Sequence, residues 1–234
     1  MARKASSSHL GYHLTNAETI AGWLWLPFYL VLLAPIIQYV LKLLTIDCTQ
    51  ITLNLIYFVV NLAVVLIIFR RFLRQRFFGS SFWNFVQAVI LGFVLYYVCT
   101  RLIEFAVTKL AGDFTIYNNE TVESLISENK YVMLAVSVIL APIIEETLIR
   151  GLVFGSLHHT SRVLAYLMSC FIFVLMHNWQ YFGLYPAEKI LLSCLPYIPA
   201  AVALGWTYEK ADTLWAAVTL HALINAMSYG LLKL

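Results

Sequence analysis

Apolar residues fill most of this chain in long runs broken by short polar punctuation. Crossing a bilayer core takes about 20 such residues. Seven runs approach or exceed that length, at about 21–44, 51–69, 82–110, 131–157, 163–179, 189–207 and 213–232. The pattern predicts an all-α polytopic transmembrane helix bundle of about seven to eight spans, eight if the third or sixth run divides. Prolines mark the bends: Pro27 and Pro35 in the first span, Pro142 in the fourth, Pro196 and Pro199 in the sixth. A proline has no N–H and leaves a carbonyl one turn earlier without its donor, near Val138 in the case of Pro142. Backbone freed at bilayer depth must be satisfied by protein or by water in a cavity. Kinked and broken helices around a central polar cavity are therefore expected. The connection 111–130 reads as an acidic loop with Asp113, Glu120, Glu123 and Glu128, and 180–188 as a loop whose Tyr181 and Tyr185 suit the interface. No repeat and no separate soluble domain is present. The chain divides into a tail with three spans (1–130) and a helical core (131–234) within one integral membrane domain.

Composition agrees with this reading. The 234 residues are 62% hydrophobic and 12% charged, against about 25% charged in soluble proteins. Mean hydropathy is +0.81. A net charge of +3 is too small to indicate a nucleic-acid partner. Cys48, Cys99, Cys170 and Cys194 are scattered and form no zinc or redox spacing. Between the second and third runs, Arg70, Arg71, Arg74 and Arg76 stand without an acid. The positive-inside rule places this loop in the cytoplasm. The N-terminal tail, with Arg3, Lys4, His9 and His13, falls on the same side, and so does the turn His158-His-Thr-Ser-Arg162. A bacterial plasma membrane is the expected location.

Against this background, Ala141-Pro-Ile-Ile-Glu-Glu-Thr-Leu-Ile-Arg-Gly151 is exceptional. Each ionisable group at bilayer depth costs roughly 2.5–3.5 kcal/mol on insertion scales and persists where it pairs or lines a cavity. On a helix Glu146 and Arg150 share a face. Glu145 points about 100° away and needs another partner. Two further spans carry pairs at the same spacing, Phe173/His177 and His221/Asn225. Convergence of these groups would supply what water-activated acyl chemistry requires. A carboxylate takes a proton from water, a histidine shares or returns it, and Asn and His donate to an oxyanion. Depth raises an obstacle. At about 1.5 Å per residue, Glu145 lies about 21 Å from the outer start of its span and His177 about 21 Å from the inner start of its own. Straight helices flush with the bilayer would hold them apart unless span four starts above the membrane or span five tilts. His-Glu-x-x-His and Gly-x-Ser-x-Gly are absent, and Asp113 and Asp212 sit at loop edges.

Glu145-Glu-x-x-x-Arg150, Phe173-x-x-x-His177 and His221-x-x-x-Asn225, in that order on separate apolar segments, resemble the CPBP family of intramembrane proteases. These are the CAAX-prenyl-protease and bacteriocin-processing enzymes, also called the Abi family. The resemblance covers roughly 131–230, and Ile149 departs from the aromatic common there. It implies an endopeptidase acting on a peptide or a prenylated or otherwise lipid-modified peptide, with a bacteriocin or quorum-sensing peptide as a further candidate. It implies Glu145 as general base with His177 assisting, and His221 and Asn225 on the scissile carbonyl. Glu146 and Arg150 would be braces, and Phe173 would pack beside His177. It leaves the cofactor open. Glu145, His177 and His221 would suit zinc as a two-His-one-Glu set, and a metal-free glutamate scheme also uses Asn225. Two rivals stand beside the enzyme: a non-catalytic bacteriocin-immunity or sensor-modulating protein on the same scaffold, and a proton-coupled transporter, which internal repeats would have signalled.

Overall fold

Each apolar run is a helix in the computed structural model, which describes residues 10, 11, 13–79, 81–112 and 114–229. Arg3, Lys4, His9, Asp113 and the end of the seventh run lie outside the described residues. In chain order the helices are α1 (Asn16–Leu43), α2 (Gln50–Ile68), α3 (Phe82–Ala111), α4 (Tyr117–Glu128), α5 (Lys130–His158) and α6 (Arg162–Tyr181). They continue with α7 (Ala187–Cys194), α8 (Tyr197–Ala211) and α9 (Leu214–Ser228). Six stretches are long and apolar enough to cross a membrane, α7 and α8 together counting as one, and α9 is a shorter apolar helix. No strand occurs among the described residues, only an isolated bridge between Phe182 and Tyr185. The protein is an all-α polytopic membrane bundle.

The prolines act where the sequence places them. A π-helical stretch, Phe28–Leu32, follows Pro27. Pro196 caps α8 and separates it from α7. A second π-helical stretch, Ala135–Leu140, precedes Pro142. Its i→i+5 bonding moves the carbonyl that Pro142 leaves without a donor from Val138 to Ser137. A third, Thr147–Phe154, carries Arg150.

The segment 111–130 differs from expectation. Where a loop was expected, Tyr117–Glu128 forms α4. Tyr117 and Leu125 are buried, and Val122 and Ile126 pack against the bundle beside Leu125. These positions form a one-sided stripe at helical spacing, too polar overall to register as a span. The helix is tied down at both ends. Ile51 N donates to Glu128 Oε2 (3.2 Å), Tyr117 N to Ser193 Oγ (3.3 Å), and the Tyr117 and Tyr185 rings stack at 3.9 Å.

The opposite end gathers the arginine loop, the N-terminal segment and the turns after α5 and α8. Glu18 closes a capping box with Thr15 at the start of α1. Its other oxygen accepts from Arg71 N (3.1 Å) and Phe72 N (2.9 Å). Gly11 N donates to Asp212 Oδ1 (2.6 Å), and Thr213 Oγ1 to the Arg76 carbonyl (2.9 Å). The two histidines after α5 serve separate contacts: His158 lies 3.1 Å from Glu209, and the His159 ring packs on His13 at 4.6 Å.

The motif helix is the hub of the bundle. In its most apolar window, 61% of α5 is buried inside the protein, against 17–22% for α1, α2, α3 and α6. Every residue of 144–154 is buried. Protein rather than lipid therefore surrounds Glu145, Glu146 and Arg150.

Around this hub α3 and α8 approach closely. A Cβ on Gly92 would lie 2.0 Å from Thr207 Oγ1 and 2.8 Å from a Leu220 methyl. Small residues that admit a neighbouring backbone are typical of membrane helix contacts. Gly92→Ala is expected to destabilise the bundle by about 1–3 kcal/mol through overpacking. Unfolding in detergent would read this as a lowered midpoint, recovered in part by Thr207→Ala, which removes the hydroxyl the new methyl would strike. An unchanged midpoint would show that the helices move apart freely.

Candidate active site

Three helices bring the predicted residues to one point. Glu145 Oε2 stands 3.9 Å from His177 Nε2 and 3.9 Å from His221 Nε2. The depth obstacle disappears when both helices are measured from the turn joining them. At a rise of about 1.5 Å, Glu145 is about 20 Å before the end of α5 and His177 about 22 Å after the start of α6. The 29 residues of α5 exceed the roughly 30 Å hydrocarbon core, which leaves the helix length to tilt or to extend past it.

The neighbouring charges are committed. Glu146 Oε1 accepts from Arg150 NH1 (3.0 Å) and from His221 Nδ1 (2.7 Å). Arg150, fully buried, also donates to the Ala201 carbonyl (3.0 Å), and its guanidinium lies 4.6 Å above the Phe173 ring. The same Phe173 supplies the carbonyl to which His177 Nδ1 donates (2.8 Å). Its ring meets His177 at 4.6 Å and the His221 ring edge-on at 5.8 Å. His221 thus bonds Glu146 through Nδ1 and turns Nε2 toward Glu145, 3.9 Å away.

These partners fix the tautomers. A carbonyl only accepts, so His177 carries its proton on Nδ1. Glu146, already accepting from a guanidinium, takes the Nδ1 proton of His221. In the neutral rings both Nε2 atoms are therefore lone pairs turned toward Glu145. Glu145 Oε2 is itself buried without a hydrogen-bond partner. Three acceptors at this spacing suit a water that donates to two of them.

Asn225 Nδ2 donates to the Ser137 carbonyl (2.7 Å), the group that Pro142 leaves unpaired. One N–H of that amide remains for another acceptor. Tyr229 donates to the Ser137 hydroxyl, and the Tyr197 ring stacks on His177 at 4.6 Å. Ser137, Tyr197 and Tyr229 were not singled out in the sequence. Only the five-residue spacing of Ser137 before Pro142, and the Pro196–Pro199 break beside Tyr197, could have pointed to them.

The donor set does not fit a metal as it stands. A tetrahedral zinc with bonds of about 2.0–2.1 Å sets its donors roughly 3.4 Å apart, and the Glu145–imidazole separations are wider. Among the described residues no group of three His, Cys, Asp or Glu is placed to hold a metal ion.

Above Glu145 lies a cavity of about 1250 Å³. Its walls come from α1–α3, the first half of α5, the end of α6, the start of α8 and the second half of α9, with α4 beside them. Among the described residues, none of the arginine-loop end lines it.

Residues 127–227 match the family described as type II CAAX prenyl endopeptidase Rce1-like. The match covers less than half of the chain, and it is a likeness to that family over the segment that carries the motifs. The matched segment contains all seven motif residues from Glu145 to Asn225 and leaves out α1–α3. The UPF0177 protein YxdF of Lactococcus lactis subsp. lactis (strain IL1403) is 29% identical over 96 residues, 41% of this chain and 48% of that protein. The chain therefore spans about half the length of this curated relative. No solved structure matches it.

Proposed function

We propose that this protein is an intramembrane endopeptidase that cleaves a peptide or a lipid-modified, CAAX-type protein with water activated by Glu145. The observation that carries the reading is the meeting of the unpartnered Glu145 oxygen with two imidazole lone pairs at the floor of a cavity. A water there donates one proton to Glu145 and orients the other toward His177 Nε2. As its oxygen attacks the scissile carbonyl, Glu145 takes the first proton and later passes it to the leaving amine. The tetrahedral oxyanion accepts the remaining N–H of Asn225. His221, neutral with Nδ1 on Glu146, offers no N–H to that oxygen and does so only as the imidazolium. In the neutral form it is a second base beside Glu145. Glu146, Arg150 and Phe173 hold both histidines in place.

Because both imidazoles stand farther from Glu145 than zinc requires, this scheme uses no metal. Chelation is accordingly expected to leave cleavage of a quenched fluorescent peptide by the purified protein unchanged. Loss of turnover on chelation, restored by zinc, would overturn the metal-free scheme.

By the positive-inside rule we take the arginine-loop end, with the N-terminal tail, to be cytoplasmic, in a bacterial plasma membrane. The cavity then opens on the far face, which suits an exported or membrane-buried peptide such as a bacteriocin or signalling peptide. Cys48 is exposed in the connection before α2, at the α4 end. A membrane-impermeant maleimide should label it in intact cells, with the signal lost in Cys48→Ser. Labelling only after the membrane is breached would reverse the orientation.

A further inference from the structure

We infer that the cavity above Glu145 selects a cationic peptide segment, a substrate class that rests on the protease reading and deepens it. Five carboxylates line this space: Glu104, Glu120, Glu123, Glu128 and Glu145. One guanidinium, Arg101, accompanies them. Arg101 is already spent within the wall, since it pairs with Glu104 at 2.9 Å and lies 5.2 Å over the Tyr97 ring. That internal contact shows how the wall receives a cation, with a carboxylate at one side and an aromatic face beneath. Glu120 and Glu123 stand exposed on α4 at the mouth and form no ion pair among the described residues.

A ring of acids alone would be a solvated rim. Here the same cavity ends on a carboxylate only 6% exposed, whose Oε2 has no hydrogen-bond partner. Asn54 Oδ1 on α2 also lines the space and is likewise buried without a partner. The volume of about 1250 Å³ exceeds the ~300–1,000 Å³ of small-molecule sites and fits a stretch of chain. Backbone N–H donors are wanted deep inside, where Asn54 Oδ1 has none, and positive charge at the entrance. An extended peptide with lysine or arginine beside its apolar scissile segment meets both demands. A peptide with acidic residues at that position is repelled.

Binding to the full-length Glu145→Gln protein in nanodiscs tests this without cleavage, and it leaves the rim carboxylates to carry any preference. The probes are three fluorescent peptides with one apolar sequence, flanked by two lysines, two glutamines or two glutamates. The lysine peptide is expected to bind on the order of tenfold tighter than the glutamate peptide at low salt, and the gap should narrow at high salt. Glu120→Gln with Glu123→Gln should remove most of the difference and leave the glutamine peptide unaffected. Equal binding of the three, no binding of any, a preference for glutamate, or a lysine preference untouched by the double substitution would each overturn the inference. A lysine preference in a protein that cleaves nothing would remove the protease reading alone. Cleavage indifferent to flanking charge would remove this inference alone.

Discussion

Glu145→Gln, His177→Ala and His221→Ala are each expected to lower turnover by about two orders of magnitude or more, the range of a positioned general base. Combining them should cost little more than the worst single change, because all three act on one water. The glutamine is close in size to the glutamate and cannot accept a proton. Glu145 has no hydrogen-bond partner at Oε2 to lose, so folding should be spared. Turnover would be read with purified protein and a quenched peptide, and folding by the elution profile and unfolding midpoint. Multiplicative losses in the double variants would show separate roles rather than a shared water.

Arg150 has the largest expected effect on stability. Its fully buried guanidinium is bonded to Glu146 and to the Ala201 carbonyl and rests on Phe173. Removing one partner of a buried ion pair costs about 3–5 kcal/mol, because the other charge stays behind unpaired. Glu146→Ala strands the arginine and also takes the acceptor from His221 Nδ1. Both Glu146→Ala and Arg150→Ala should fail to accumulate in the membrane. Arg150→Lys should rescue poorly, since a single ammonium cannot reproduce the planar fork and the aromatic stacking. A double variant, Glu146→Gln with Arg150→Met, removes both charges and should accumulate better than either alanine variant while remaining inactive. Wild-type accumulation of the single variants would mean that water reaches the pair.

Much of this arrangement was legible in the chain. Run length and charge located the spans, because lipid demands unbroken apolar helices. The three i, i+4 pairs named the residues that meet, because that spacing puts both members on one face. Legibility failed where geometry depends on partners. Helix α4 was missed because a stripe of four apolar positions in an acidic segment signals packing on a bundle rather than insertion in lipid. The π-helical stretch before Pro142 moved the unpaired carbonyl to Ser137, and only the fold brings Asn225 to it. Glu145 was expected to need a partner other than Arg150, and it faces the imidazoles of His177 and His221. That His221 also bonds Glu146 is something adjacent positions in a sequence cannot reveal. The depth mismatch came from setting every helix flush with the bilayer, whereas α5 is longer than the core is thick.

The mechanism makes water the nucleophile and Glu145 its activator. Membranes carrying the wild-type protein or Glu145→Gln, incubated in ¹⁸O-water and compared by peptide mass spectrometry, test this most directly. The account predicts peptides present only with the wild type, whose new C-terminal carboxylates carry one heavy oxygen. The same peptides appearing with Glu145→Gln, or new termini without heavy oxygen, would contradict it.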